Sequence, residues 1–589
     1  MFPNVVFRDA LVSDPSESLV GKILNRFSTY NMAFGVNEEG YPRTISSRAN
    51  LYDNDKLYKL NEEFNHPTHR LEENGLPTWK RYLSSGLSLM YDAMDVKKYF
   101  RKYRFVFDPN DYHTKVRVKG KSSSGINMVQ PQSYQCYGIK YTMGRTGTKH
   151  EYTEMCQGII VRAYHSETHE LPSRDACNVI GKQDIYNDWE CSTKAQREKM
   201  RLKMRHFFIV HTFTNTVASL TSILRHGFER GKVIRIGMKW WNGGALYVAK
   251  LLKYDSPDQC FGMGDFTKID KHIKRQFLQI YSSESLRYMK EYDPFFMALH
   301  KYTAESLAVK IVHLVAGKWV VMDGVMPSGH YDTSHGDSWI VSLCYYMLVA
   351  SSLDGPNRVA VRKALAAGLI AIIVYGDDHV ISVPRPLIDV LGETAFSHFC
   401  KKQGLFIRDI QNDVPFFSTI GPFGELAVSG VSFLQRYFIR KDQIQSDVHQ
   451  DLPEVLPFRP AHKNIVKVAY GCGSERTLLD IILSLLGHMY DTMGTNLYAY
   501  EFLVFVYRRI IREAMDVHAD PQKELQQYIS QGNGQTLDMQ RFVRKLGISV
   551  NDLTHIPALS HLQLKHTYTH LDSEHDITKD FSDEGSFFY

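Results

Sequence analysis

The sequence predicts an α+β protein built from several subdomains. Three observations predict it. The chain has 589 residues, more than one hydrophobic core ordinarily serves. The apolar run Leu369-Ile370-Ala371-Ile372-Ile373-Val374-Tyr375, the turn residues Gly376-Asp377-Asp378 and the returning His379-Val380-Ile381-Ser382-Val383 read as a buried hairpin. Beyond about residue 440 the pattern turns mostly helical, with apolar periodicity over Arg476–Tyr490 and Leu497–Glu513.

Composition narrows the class. Hydrophobic residues at 43% and charged residues at 23% are ordinary for a folded chain. The net charge of +6 permits a nucleic-acid partner without requiring one. The 8 cysteines form no CxxC pair, so neither a zinc site nor a redox motif is indicated. No signal pattern opens the chain, and the apolar runs Ala364–Tyr375 and Trp339–Ala350 are too short to span a bilayer. No transmembrane segment is expected.

Residues 1–200 mix short apolar runs with basic clusters such as Arg101-Lys102-Tyr103-Arg104 and the loop Lys121-Ser122-Ser123-Ser124-Gly125. In Lys199-Met200-Arg201-Leu202-Lys203-Met204-Arg205, basic and apolar residues alternate as on a strand with one basic face, able to neutralise a triphosphate. In Gly264-Asp265-Phe266-Thr267-Lys268-Ile269-Asp270, a short strand ending near Asp265 can bring its carboxylate beside the hairpin tip. The segment from Pro327 to Ser338 reads as a loop running into the helix Trp339–Ser352, with Thr333 and Asp337 on one face. After the hairpin, Leu387, Leu391, Ala395 and Phe399 recur as on a helix, with Lys401 and Lys402 in its last turn and Gly404 as its cap. The tail from Asp572 onward is polar and acidic.

Adjacent carboxylates on a tight turn repel one another, and oxygen-ligated Mg²⁺ removes that repulsion. A third carboxylate from Asp265 suits two-metal phosphoryl transfer. The polar side chains of Thr333 and Asp337, on one helix face, could point at a ribose, where RNA differs from DNA by a 2′-hydroxyl.

In order and spacing these segments resemble the palm core of viral RNA-dependent RNA polymerases, over about residues 199–440. Lys203-x-Arg205 resembles motif F, Asp265-x4-Asp270 motif A, and Ser328-Gly329-x3-Thr333-x3-Asp337-Ser338 motif B. Tyr375-Gly376-Asp377-Asp378 resembles motif C, the helix before Gly404-Leu405 motif D, and Phe433-Leu434-Gln435-Arg436 the primer grip, motif E. The picornavirus-like supergroup is the nearest in character. Gly237-Met238-Lys239-Trp240-Trp241-Asn242-Gly243-Gly244 is similar to potyvirus and astrovirus enzymes, and Asp337 to those and to partitiviruses.

The resemblance implies a right-hand polymerase fold: fingers with an N-terminal extension over 1–245, palm over 246–280 and 323–440 (an antiparallel sheet flanked by helices), a fingers insertion over 281–322, and a helical thumb with the acidic tail over 441–589. It implies RNA-templated RNA synthesis from NTPs, with Mg²⁺ or its substitute Mn²⁺ held by Asp265 and Asp377, and less directly by Asp378. Lys203 and Arg205 would bind the NTP phosphates. Asp270, Ser328, Thr333 and Asp337 would read the ribose, the two close carboxylates requiring either that one is protonated or that Thr333 or Ser338 supplies a donor between them. Gly329, Gln435 and Arg436 would contact RNA. Template, nascent RNA and other viral replication proteins are the expected partners, in the host cell cytoplasm or the virion interior.

The segment after Gly404-Leu405 departs from the family pattern. Ile407-Arg408-Asp409-Ile410-Gln411-Asn412-Asp413 lacks the lysine that serves relatives as general acid, and Arg408 is a poor acid near neutral pH. Lys401 or Lys402 are the substitutes in reach. Two other readings are a reverse transcriptase, which ordinarily lacks the polar ribose reader, and a non-catalytic nucleic-acid scaffold, in which intact paired acids would only destabilise.

Overall fold

The elements that position the acidic motifs are, in chain order, helix α1 (Leu76–Met94), strands β1 (Cys177–Lys182) and β2 (Arg205–Ile209), helix α2 (Thr212–Glu229) and strand β3 (Gln259–Phe266). Helices α3 (Arg275–Glu284) and α4 (Pro294–Ala308) precede strands β4 (Val309–His313) and β5 (Trp319–Asp323). Then come helix α5 (Thr333–Ser352), strands β6 (Ala371–Tyr375) and β7 (Asp378–Pro384), helix α6 (Glu393–Lys402) and strand β8 (Ile407–Gln411). Strands β9 (Ser432–Phe433), β10 (Arg436–Arg440) and β11 (Val455–Phe458) lead to helices α7 (Leu478–Asp491) and α8 (Leu497–Met515). This computed structural model describes residues 44–46, 76–101, 132–136, 139–143, 149–172, 177–182, 185–187, 193, 195, 205–238, 240–241, 243–313, 319–420, 426–444, 451–461, 463–464, 478–515, 520–530, 552 and 554–567.

The protein mixes helices with mainly antiparallel sheets. The central sheet has the order β6-β7-β3-β8, antiparallel at each step. Its apolar residues alternate between two cores, as a period of two requires. Ile372, Val374, Ile381 and Val383 pack with α5, α1 and α6 through Trp339, Tyr345, Met90 and Phe396. Ile373, Val380 and Phe261 pack on the opposite face with Leu485, Met489 and Leu503 of α7 and α8. Covered on both faces, β6 reads as a continuous apolar run. A second sheet, β2-β1-β4-β5, has one parallel pair, β1 with β4.

Three sequence expectations shift. Helix α5 begins at Thr333 rather than Trp339. The helix expected through Leu387, Leu391, Ala395 and Phe399 is divided at Gly392, which is extended at φ −76°, ψ −177° and opens α6 with Glu393. Glycine is disfavoured in a helix interior, and the break falls at it. The basic strand expected from Lys199 is described only from Arg205. Lys401 and Lys402 do end α6, and Gly404 follows at φ +77°. Among the described residues the cysteines Cys156, Cys177, Cys260, Cys344 and Cys400 are buried and free, and no helix is long and apolar enough to cross a membrane.

Candidate active site

Strand register assembles the acids. Asp378, the first residue of β7, lies directly opposite Asp265 on β3, and on the hairpin's other side opposite Tyr375. Asp265 lies in turn opposite Arg408 on β8. Cross-strand partners project from the same face, about 5 Å apart. Tyr375, Asp378, Asp265 and Arg408 therefore form one row across four strands. Asp377 is exposed in the turn that ends the row, after Gly376 at φ +66°.

The carboxylates of this row have partners. Asp265 Oδ2 accepts from Arg408 Nε at 2.8 Å and from its Nη2. Asp378 Oδ2 accepts from the Leu434 N–H at 2.6 Å. Burial pushes the Asp378 carboxyl up to about 6; the Leu434 bond and His379 oppose this, and the charges of Asp377 and Asp265 add to it. Crowded carboxylates of this kind fit a divalent cation, and carboxylate oxygens are the ligands Mg²⁺ takes. Among the described residues no group of three His, Cys, Asp or Glu side chains is arranged to hold a metal ion.

A second polar group adjoins the row. Ser328 Oγ donates to Asp270 Oδ2 at 2.7 Å. Asp337, on the first turns of α5, is buried, and its Oδ1 has no hydrogen-bond partner. Burial, with the charges of Asp270 and Asp377, holds its carboxyl well above the usual range, which favours its protonated form. Ser328 supplies the donor to Asp270. Neither expected donor does so. Thr333 Oγ1 donates to the carbonyls of Pro327 (2.6 Å) and His330 (2.9 Å). Ser338 Oγ donates to Ser334 O at 2.6 Å and accepts from the Gly376 N–H at 2.7 Å, tying α5 to the acidic turn.

The loop bearing Ser328 is clamped from α2. Asn215 Nδ2 donates to Gly329 O at 3.1 Å, and its Oδ1 accepts from the Tyr331 N–H at 2.8 Å. Asp332, fully buried, accepts from His226 Nε2 at 2.8 Å and Ser222 Oγ at 3.1 Å. On the other side the Phe208 N–H donates to Ser328 O at 2.8 Å. Gly329 is required there: its φ is +125°, and a Cβ would lie 2.1 Å from Phe208 O.

Beneath the hairpin, His379 Nε2 meets both Glu393 oxygens at 3.0 Å, with both side chains fully buried. Burial works against the charged imidazole, but Glu393 outweighs it and lifts the group above its ordinary value. Glu393 lies in the first turn of α6, where the helix dipole favours an acid.

Of the remaining expected residues, Lys203 lies outside the described residues, and Arg205 is described only as the start of β2. Gln435 is exposed at the tip of the β9–β10 turn, whose central residues Leu434 (φ +52°) and Gln435 (φ +61°) give a type I′ turn. Arg436 turns inward, paired with Asp491 of α7 and 5.6 Å from the Trp240 ring. Asn215, Asp332, His379 and Glu393 escaped the sequence reading, although a histidine directly after two acids on a buried strand was a signal for one of them.

No protein-family description matches the chain, and no significant match arises among curated proteins.

Proposed function

We propose that the protein is an RNA-directed RNA polymerase, transferring nucleotides from NTPs to an RNA 3′-hydroxyl on an RNA template. The observation that carries the reading is the convergence of Asp265 with Asp378 on neighbouring strands, at the turn bearing Asp377. The Ser328, Asp270 and Asp337 group next to it supports a ribose reader. In this reading β3, the β6–β7 hairpin, β8 and α5 form the palm, α2 and α4 belong to the fingers, and α7 and α8 to the thumb.

Asp265 and Asp377 would hold the divalent cations, with Asp378 beside them. A bound Mg²⁺ or Mn²⁺ would supply activation of the attacking hydroxyl and neutralise charge at phosphorus. The neutral Asp337 can donate a hydrogen bond to a ribose hydroxyl, and Ser328 holds Asp270 as an acceptor next to it. Gln435 is the primer-grip side chain on offer to the nascent strand, while Arg436 braces the turn from behind.

The test is direct. Purified full-length protein with an RNA template, Mg²⁺ or Mn²⁺ and labelled NTPs should yield labelled RNA, and replacing the NTPs by dNTPs should suppress the product. Efficient dNTP incorporation would favour a reverse transcriptase instead.

A further inference from the structure

Arg408 stands where the sequence departs from the polymerase pattern, and its surroundings give it a different task from proton donation. It is the cross-strand partner of Asp265, and its Nε and Nη2 both bind Asp265 Oδ2. Directly after it the β3–β8 register shifts between Arg408 and Gln411, and Asp409 takes a left-handed φ of +53°. Bulges of this kind bend an edge strand and re-aim its side chains. Both members of the pair are about half exposed, at 52% and 45% for Arg408 and Asp265, so the pair is open to competition from solution.

We infer that Arg408 is the resident counter-cation of Asp265, displaced by a divalent cation and then free to bind a di- or triphosphate at the same row. The inference rests on the proposed metal site and deepens it. A carboxylate oxygen shared with a guanidinium fork is a poorer metal ligand, so Arg408 and a divalent cation compete for Asp265. Once released, the guanidinium remains on the edge strand beside Asp265, and the carboxylate of Asp409 lies 3.7 Å from its Nε. A polyphosphate offers the paired oxygens that a guanidinium binds best. Arg408 would thus make metal and phosphate binding mutually reinforcing, with no proton transfer of its own.

The experiment titrates the full-length protein with Mn²⁺ alone, and then with inorganic pyrophosphate at saturating Mn²⁺, by calorimetry. Arg408→Gln should bind Mn²⁺ about two- to fivefold tighter than wild type, the range an exposed ion pair supports. It should bind pyrophosphate at least about fivefold more weakly. Arg408→Lys, which keeps the charge but loses the fork, should fall between in both titrations. Unchanged or weaker Mn²⁺ binding by a normally melting Arg408→Gln protein overturns the displacement. Unchanged pyrophosphate binding overturns the phosphate role and leaves Arg408 to fall back on Asp409. Asp265→Ala separates the two levels: if it binds Mn²⁺ as wild type does, the metal site is wrong, and the Arg408 inference falls with it.

Discussion

Replacing Ser338 by Ala removes one oxygen that joins α5 to the acidic turn. Ser338 is fully buried, and its hydroxyl accepts the Gly376 N–H at 2.7 Å. Its other bond, to Ser334 O, doubles an acceptor that the helix already engages. The loss is therefore chiefly that of an acceptor for a partly buried backbone N–H, which costs about 1–3 kcal/mol. The cavity is a single oxygen and adds little. Ser342 is the control: its hydroxyl donates to Ser338 O within the same helix. Urea unfolding should place Ser338→Ala about 1–3 kcal/mol below wild type, and Ser342→Ala within about 1 kcal/mol of it. Because the turn carries Asp377, nucleotide incorporation by Ser338→Ala should also fall by about tenfold or more. Equal stability and equal activity in the two variants would refute the claim that this hydroxyl anchors the turn.

Three further outcomes follow from the same geometry. Asp337→Asn keeps the shape and the neutral state of the side chain, so it should fold and incorporate NTPs nearly as wild type does, whereas Asp337→Ala should narrow the preference for NTPs over dNTPs; equal losses in both would count against a neutral ribose reader. Gly329→Ala places a Cβ on the Phe208 carbonyl in a left-handed backbone, so thermal denaturation should register a loss of about 1–3 kcal/mol or more; an unchanged melting profile would refute the tight passage. His566, buried and bonded to Met493 O at 2.8 Å, is held down to about 4 from 6.5 by burial. The unfolded chain takes up its proton first, so stability is intact above pH 6.5 and is lost as pH falls toward 4, by up to about 3 kcal/mol for this one group. His566→Gln should flatten that part of the stability curve, and an unaltered slope would contradict it.

The sequence displayed what depends on local pattern. The β6–β7 hairpin was legible because a run of β-branched residues meets turn residues and returns. The cap at Gly404 was legible because lysines precede a glycine where apolar periodicity stops. What depends on register between distant strands was hidden. Arg408 could be seen to occupy an unusual place, but only the pairing of β8 with β3 puts it on Asp265. The donor between Asp270 and Asp337 was expected at Thr333 or Ser338, from their place in the motif. Both hydroxyls are taken by nearby backbone groups, and the loop residue Ser328 reaches the carboxylate instead. The Asp332–His226 and Glu393–His379 pairs join segments that no periodicity connects. Arg436 illustrates the converse: its place in a motif suggested RNA, while Asp491 of α7 draws it inward.

The central claim is that Asp265 and Asp377 hold the cations for RNA synthesis, and one comparison tests it most directly. Wild type and Asp377→Ala, matched for folding, are assayed for labelled RNA synthesis on a template and for template binding at equilibrium. Synthesis should be abolished in the variant while RNA affinity stays nearly unchanged. Full synthesis by Asp377→Ala would contradict it.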